Sequence, residues 1–173
     1  MHDPLVTFEQ LNEADFISLF SRIYEHSTWV AEALWQQVSQ HPNGYFDQMS
    51  KIESAMKHIV EQSADEQKLI LLRAHPDLAG KAALAGELTQ ASTSEQAGAG
   101  LDQCSEAELR HFLHLNDTYR EKFGFPFIMA VKGATKEQVL AGFEERTPND
   151  WQTEFDRAMS EVHKIAAFRL ADL

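Results

Sequence analysis

His75 is the side chain best placed for chemistry in this sequence. It closes a helical run and is followed by Pro76-Asp77-Leu78-Ala79-Gly80. Proline lacks an N–H and disfavours helix in the residue before it, so the imidazole sits where a regular element breaks. Histidine titrates near neutrality and can give or take a proton there. The position also allows a structural reading, in which the imidazolium caps the helix C-terminus against the macrodipole. Asp77 either orients the ring or caps the next turn.

Glu95 and Arg169 are the other candidates. Ser92 and Glu95 have the S-x-x-E spacing of a capping box, which would make Glu95 a helix-start residue. The functional reading aims its carboxylate at N–H groups of a polar ligand, with the Gln96 amide donating and accepting beside it. The last helix carries an apolar stripe through Trp151, Phe155, Ala158, Met159, Val162 and Ala166, and Arg169 falls on that stripe. A charge on a buried face needs a partner, and a guanidinium grips a carboxylate bidentately. The alternative is that Arg169 snorkels to water from the helix end. Arg146, at the edge of a stripe formed by Val139, Leu140 and Phe143, is the reserve candidate.

Other patterns fail on inspection. Gly80-Lys81 is not a phosphate loop, because His75 stands where the first glycine is required and Ala82 where a hydroxyl is required. Glu108, His111 and His114 show the Glu-x-x-His spacing of carboxylate-bridged metal bundles, but that design needs two copies. Both histidines also point away from the stripe of Leu109, Phe112, Leu113, Tyr119 and Phe123, so no metal site is expected. Cys104 has no CxxC partner, and there is no G-x-S-x-G elbow.

The elements that must position these residues are helical. Apolar periodicity predicts helices over about Asn12–Glu25, Thr28–Ser39, Tyr45–Gln62 and Asp65–Ala74, the second stopped by His41-Pro42-Asn43-Gly44. The Ala-, Gly-, Ser- and Thr-rich stretch from Gly80 to Gly100 allows short helical pieces at best. Ser105 with Glu108, and Thr135 with Gln138, form capping-box patterns. They open helices ending near Phe123, before Gly124, and near Arg146. Thr147-Pro148-Asn149-Asp150 starts the last helix, with Pro148 or Asp150 in its first turn. Phe125 to Val131 is strand-like and continuously apolar, but it has no partner strand, so a buried extended segment is expected. The fold class is all-α, a compact single-domain bundle of about six to eight helices spanning residues 1–173.

Composition agrees with a globular protein: 43% of residues are hydrophobic and 24% charged. The formal net charge of −12 argues against nucleic acid as the main partner, because phosphate recognition needs a basic face. It leaves room for a small anionic substrate held by a local arginine. No apolar run approaches the roughly 18 residues of a membrane span. Met1-His2-Asp3-Pro4 is no signal peptide, the ending Ala171-Asp172-Leu173 is not Ser-Lys-Leu, and a lone cysteine suits a reducing compartment. Cytoplasm is the expected location.

Taken together, three blocks resemble one family. They are His75-Pro76-Asp77-Leu78-Ala79-Gly80, Ser92 with Glu95-Gln96, and Phe123-Gly124-Phe125-Pro126-Phe127-Ile128 running into Ala130-Val131, with Ile165 and Arg169-Leu170 near the end. In order and spacing they resemble the 2-oxo-4-hydroxy-4-carboxy-5-ureidoimidazoline (OHCU) decarboxylases, which finish the oxidation of urate to (S)-allantoin. The resemblance implies an all-α fold, a homodimer, a small ureidoimidazoline substrate and no cofactor. It implies a proton-transferring role for His75 and functional roles for Glu95 and Arg169. Substrate contacts are implied at Pro76, Ser92 and Gln96, and along Phe127, Ile128, Met129, Ala130 and Val131. Two other readings stay open: a helical interaction module, and a cofactor-free hydrolase acting on a related ring.

Overall fold

The computed structural model describes residues 8–41, 44–46, 48–80 and 86–173. Pro42 and Asn43, expected to stop the second helix, and Lys81 and Ala82, weighed as part of a phosphate loop, lie outside the described residues. Eight α-helices and two short 3-10 turns account for the regular structure described, with no strand among the described residues. By internal contacts the chain forms two units, Met1–Leu71 with Ile165–Leu173, and Leu72–Lys164.

The first unit is built on α1 (Glu13–Phe20), α2 (Thr28–Gln40) and α3 (Met49–Glu61). The Asn12 side chain caps α1 by accepting from the Asp15 N–H at 2.8 Å. α1 packs on α2, and α2 on α3. The helix stops at Phe20, five residues short of the expected end at Glu25. The Ser21 hydroxyl bonds back to the Ser18 carbonyl, and the chain then turns until His26, whose φ is +48°. That turn carries Glu25 inward, to 2% exposure. α3 starts at Met49 instead of Tyr45, because Tyr45 and Phe46 sit in a turn packed against the His41 ring. Phe8, Phe16, Phe20 and Trp35 form the aromatic cluster of this unit.

The second unit begins inside α4 (Asp65–Ala74), which ends where Pro76 demands. It continues through α5 (Gln90–Gly98), α6 (Glu106–Phe123), α7 (Lys136–Arg146) and most of α8 (Trp151–Ala171). Both expected capping boxes form, and Gly124 ends α6 with φ +78°, a conformation open to glycine at little cost. α8 begins later than expected. Asp150 is its cap, accepting from the Thr153 N–H at 2.8 Å, and Pro148 lies outside the helix.

Residues 125–131 form neither helix nor strand, and their apolar side chains are largely buried, as their composition predicts. Phe125, Phe127, Ile128 and Val131 are buried. The Phe127 ring stacks on Phe143 at 3.9 Å and meets Tyr119 edge-on at 5.3 Å. Gly142 in α7 makes this approach possible, since a Cβ there would lie 3.2 Å from the Phe127 ring and 3.3 Å from the Met129 sulfur. Each fully buried phenylalanine contributes roughly 1.5–3 kcal/mol by burial, so this cluster is a main source of the unit's stability. No helix among the described residues is long and apolar enough to cross a membrane.

Candidate active site

His75 lies at the break that the sequence predicts. Its N–H donates to the Leu72 carbonyl at 3.2 Å, ending α4, and it is only 6% exposed. Burial at this depth separates it from an ordinary surface cap. The residues after it are tied down by side chains from two other helices. The Gln96 amide of α5 bridges the loop, its Nε2 donating to the Asp77 carbonyl at 3.2 Å and its Oε1 accepting from the Ala79 N–H at 3.0 Å. From α6, Asn116 Nδ2 donates to the Leu78 carbonyl at 2.8 Å, and Arg120 Nη2 meets Asp77 Oδ1 at 2.7 Å. The Asp77 carboxylate is thus engaged by Arg120.

α5 bears on the capping reading of Ser92 and Glu95. The N-cap is Thr89, whose hydroxyl accepts from the Ser92 N–H at 3.2 Å. Ser92 therefore lies inside the first turn, and the proposed box between Ser92 and Glu95 does not form. Glu95 lies inside the helix and is partly exposed, while Ser92 and Gln96, one turn apart, are buried. A cavity of about 220 Å³ opens beside Ala79, Thr93 and Gln96, closed by Leu101, Cys104 and Leu109. His75 and Glu95 do not line it. Burial, and next the Glu108 charge, push the Cys104 thiol above its ordinary pKa.

The reserve candidate Arg146 has a structural assignment. It is 1% exposed, with Nη1 donating to the Ile128 carbonyl at 2.6 Å and Nε donating to Glu154 Oε2 at 3.0 Å. Nη2 lies 3.0 Å from the same Glu154 oxygen, and the guanidinium covers the Phe127 ring at 4.3 Å. The Glu154 carboxylate also accepts from the Tyr119 hydroxyl at 2.5 Å and the Asn149 amide at 3.0 Å. Burial, and next the hydrogen bond to Glu154, hold the Tyr119 phenol far above its usual pKa. This network fixes the backbone at Ile128 and so the expected substrate-contacting stretch from Phe127 to Val131. Arg146, the reserve to Arg169, thus has Nε and Nη1 engaged by acceptors of the protein itself.

In the unit of α1–α3, Arg169 does not snorkel. It is 8% exposed, its Nη2 pairs with Glu25 Oε2 at 2.8 Å, and its Nη1 donates to the Arg22 carbonyl at 3.2 Å. Sequence reasoning missed Asn116, Arg120, Glu154 and Glu25. The signal for Asn116 was present, because it interrupts the apolar stripe of α6 between Phe112 and Tyr119, as Arg169 interrupts that of α8. His111 and His114 are exposed, and no group of three potential metal ligands clusters among the described residues.

The chain is an all-α protein with a buried histidine at a helix break and a tethered loop after it. Its relatives define the class more narrowly. The model of the OHCU decarboxylase family matches residues 9–171. A 2-oxo-4-hydroxy-4-carboxy-5-ureidoimidazoline decarboxylase of Haloferax volcanii is 45% identical over 99% of this chain and 97% of its own length. One from Halalkalicoccus jeotgali is 42% identical, over 97% and 92%. A solved structure of an (S)-allantoin synthase superposes with a TM-score of 0.73 at 37% identity, covering 95% of this chain, which spans about half (52%) of that one. The chain belongs to the OHCU decarboxylase family and is a carboxy-lyase.

Proposed function

We propose that this chain converts 2-oxo-4-hydroxy-4-carboxy-5-ureidoimidazoline to (S)-allantoin and CO2, the last step of urate oxidation, without a cofactor. The observation that carries the reading is the buried His75 at a helix break, with the loop after it tied at Asp77, Leu78 and Ala79. The named relatives, aligned over nearly the whole chain, support the substrate.

The substrate supplies its own electron sink. The carbon that loses CO2 bears a hydroxyl and adjoins a ring C=N. As the bond to the carboxylate breaks, its electron pair forms a ring C=C bond, and the C=N pair moves to nitrogen, which takes a proton. The hydroxyl then releases its proton and the neighbouring carbon gains one, leaving a ring amide carbonyl of allantoin. In sum, one CO2 leaves and one proton is taken up.

In this reading His75 transfers the proton to one face, which sets the product's handedness. Glu95 accepts from the ureido N–H groups and steadies the shifting charge. Arg169 holds the substrate's anionic end, and backbone groups of Phe127 to Val131 bond the ring amide. Pro76, Ser92 and Gln96 complete the contacts. A homodimer in the cytoplasm belongs to the same reading.

The test is circular dichroism of urate passed through urate oxidase and hydroxyisourate hydrolase, with and without this protein. Rapid growth of the (S)-allantoin signal is expected, and His75→Asn should abolish it while leaving the helical spectrum intact. Only slow, racemic background decay would overturn the assignment, and release of ammonia or urea would move a related hydrolase to the front.

A further inference from the structure

Asn116 and Arg120 stand one turn apart on α6 and have no part in the chemistry proposed for His75. Asn116 occupies an apolar stripe and is 1% exposed. Its Nδ2 donates to the Leu78 carbonyl, whereas its buried Oδ1 has no hydrogen-bond partner among the described residues. A half-satisfied buried amide is a poor space-filler. Its orphan acceptor forfeits hydration, and a leucine of similar volume carries no such penalty. What the amide supplies is a fixed point for the Leu78 carbonyl. Arg120 supplies another at the Asp77 carboxylate, and the Gln96 amide two more at the backbone of Asp77 and Ala79.

These points constrain His75 from one side, and α4 constrains it from the other. The His75 N–H is bound to Leu72, and the tethers begin at Asp77. Only Pro76 lies between, with its φ locked by its ring. Ala79 takes φ +51°, a left-handed conformation that a residue with a Cβ leaves unless its surroundings hold it. Few soft torsions are left through which the histidine backbone could drift.

We propose that Asn116 and Arg120 are positioning residues that hold His75 in place for proton transfer. Asn116 acts through the Leu78 carbonyl and Arg120 through the Asp77 carboxylate. The inference rests on His75 being the proton-transferring group. A shift of about 1 Å in a reacting group lowers rates by up to about 100-fold. Loosening the loop should therefore slow proton transfer while leaving substrate affinity nearly untouched.

The experiment uses the full chain with Asn116→Leu and Arg120→Met, assayed by circular dichroism in H2O and in D2O. For Asn116→Leu we expect kcat to fall about tenfold or more with KM within about twofold. The solvent isotope effect on kcat should rise, because proton transfer becomes slower than the other steps. That effect is a ratio measured on folded enzyme alone, so partial unfolding does not move it. Arg120 is half exposed, so Arg120→Met keeps the test open if Asn116→Leu does not fold, and it should give a smaller change in the same sense. Variants that fold and keep both kcat and the isotope effect of the parent overturn the inference, as does a loss confined to KM. A parent protein that forms no (S)-allantoin instead overturns the function proposed above.

Discussion

Two buried arginines, each paired with a buried glutamate, sit in different surroundings. Arg146 directs Nε, Nη1 and Nη2 at acceptors of its own unit and lies over the Phe127 ring. Its partner Glu154 is engaged on both oxygens by Arg146, Tyr119 and Asn149. This charge-matched pair makes a keystone of its unit, with Nη2 held to Glu154 by ion pairing and not by a hydrogen bond. Arg169 sits in the last turn of α8, held by Glu25 and by one carbonyl of the turn after α1. The lesson is that a charge on an apolar stripe signals a partner, and the partner's own surroundings decide whether the pair is architecture or machinery.

The comparison breaks most visibly at Glu154. Glu154→Ala leaves Arg146 buried and unpaired, which should cost about 3–5 kcal/mol and lower the thermal midpoint sharply in calorimetry. The double variant Arg146→Met/Glu154→Leu should recover most of that loss, because a well-packed apolar pair replaces two desolvated charges. If the single variant melts near the parent, Arg146 is no keystone.

Arg169→Lys tests the other arginine. Losing the planar fork at a charged ligand removes about 1.5–3 kcal/mol of hydrogen bonding, or roughly ten- to a hundredfold in kcat/KM. The thermal midpoint should move far less than in Glu154→Ala. An unchanged kcat/KM would make Arg169 a structural residue like Arg146.

Tyr119 sharpens the contrast through pH. Its folded pKa is raised, first by burial and then by Glu154. The folded state therefore keeps a proton that the unfolded chain releases above about pH 10. Stability from this group is full below that pH and is lost as pH rises beyond it. Alkaline unfolding monitored at the tyrosinate absorbance should begin there, and Tyr119→Phe should flatten the loss at a cost near 1–2 kcal/mol at neutral pH.

The smallest effect serves as a control at the start of α6. Ser105→Ala removes the α6 cap and should cost about 1 kcal/mol, with kcat unchanged. The Glu108 carboxyl lies below its ordinary pKa, chiefly because it accepts from the Ser105 N–H. Its contribution is present above the usual carboxylate range and is lost as pH falls through the lowered value. Acid unfolding should therefore be less steep if Glu108 is replaced by alanine.

Local chemistry made much of the fold legible. α4 runs over the residues its periodicity and Pro76 predict, and α6 and α7 open on their capping boxes. The errors fall where side chains override periodicity. α1 stops early because Ser21 and His26 turn the chain, and α3 starts late because Tyr45 and Phe46 pack in a turn. At the candidate site, His75 and its helix break were readable from Pro76. Thr89 as the α5 cap was not, because Ser92 and Glu95 offered an equally good local pattern.

The sequence by itself determined the helices, the buried apolar segment from Phe125 to Val131, the helix break at His75, and membership of the OHCU decarboxylase family. These follow from neighbours within a few positions or from short ordered motifs, where the interactions are local. Only the tertiary structure decided which glutamate answers each buried arginine, that Asn116 and Arg120 reach the loop after His75, and that Gln96 bridges it. Those contacts join residues 8 to 144 positions apart. Nothing in a local pattern encodes such a pairing; it is set by which faces the helices bury and by the need of every buried polar group for a partner.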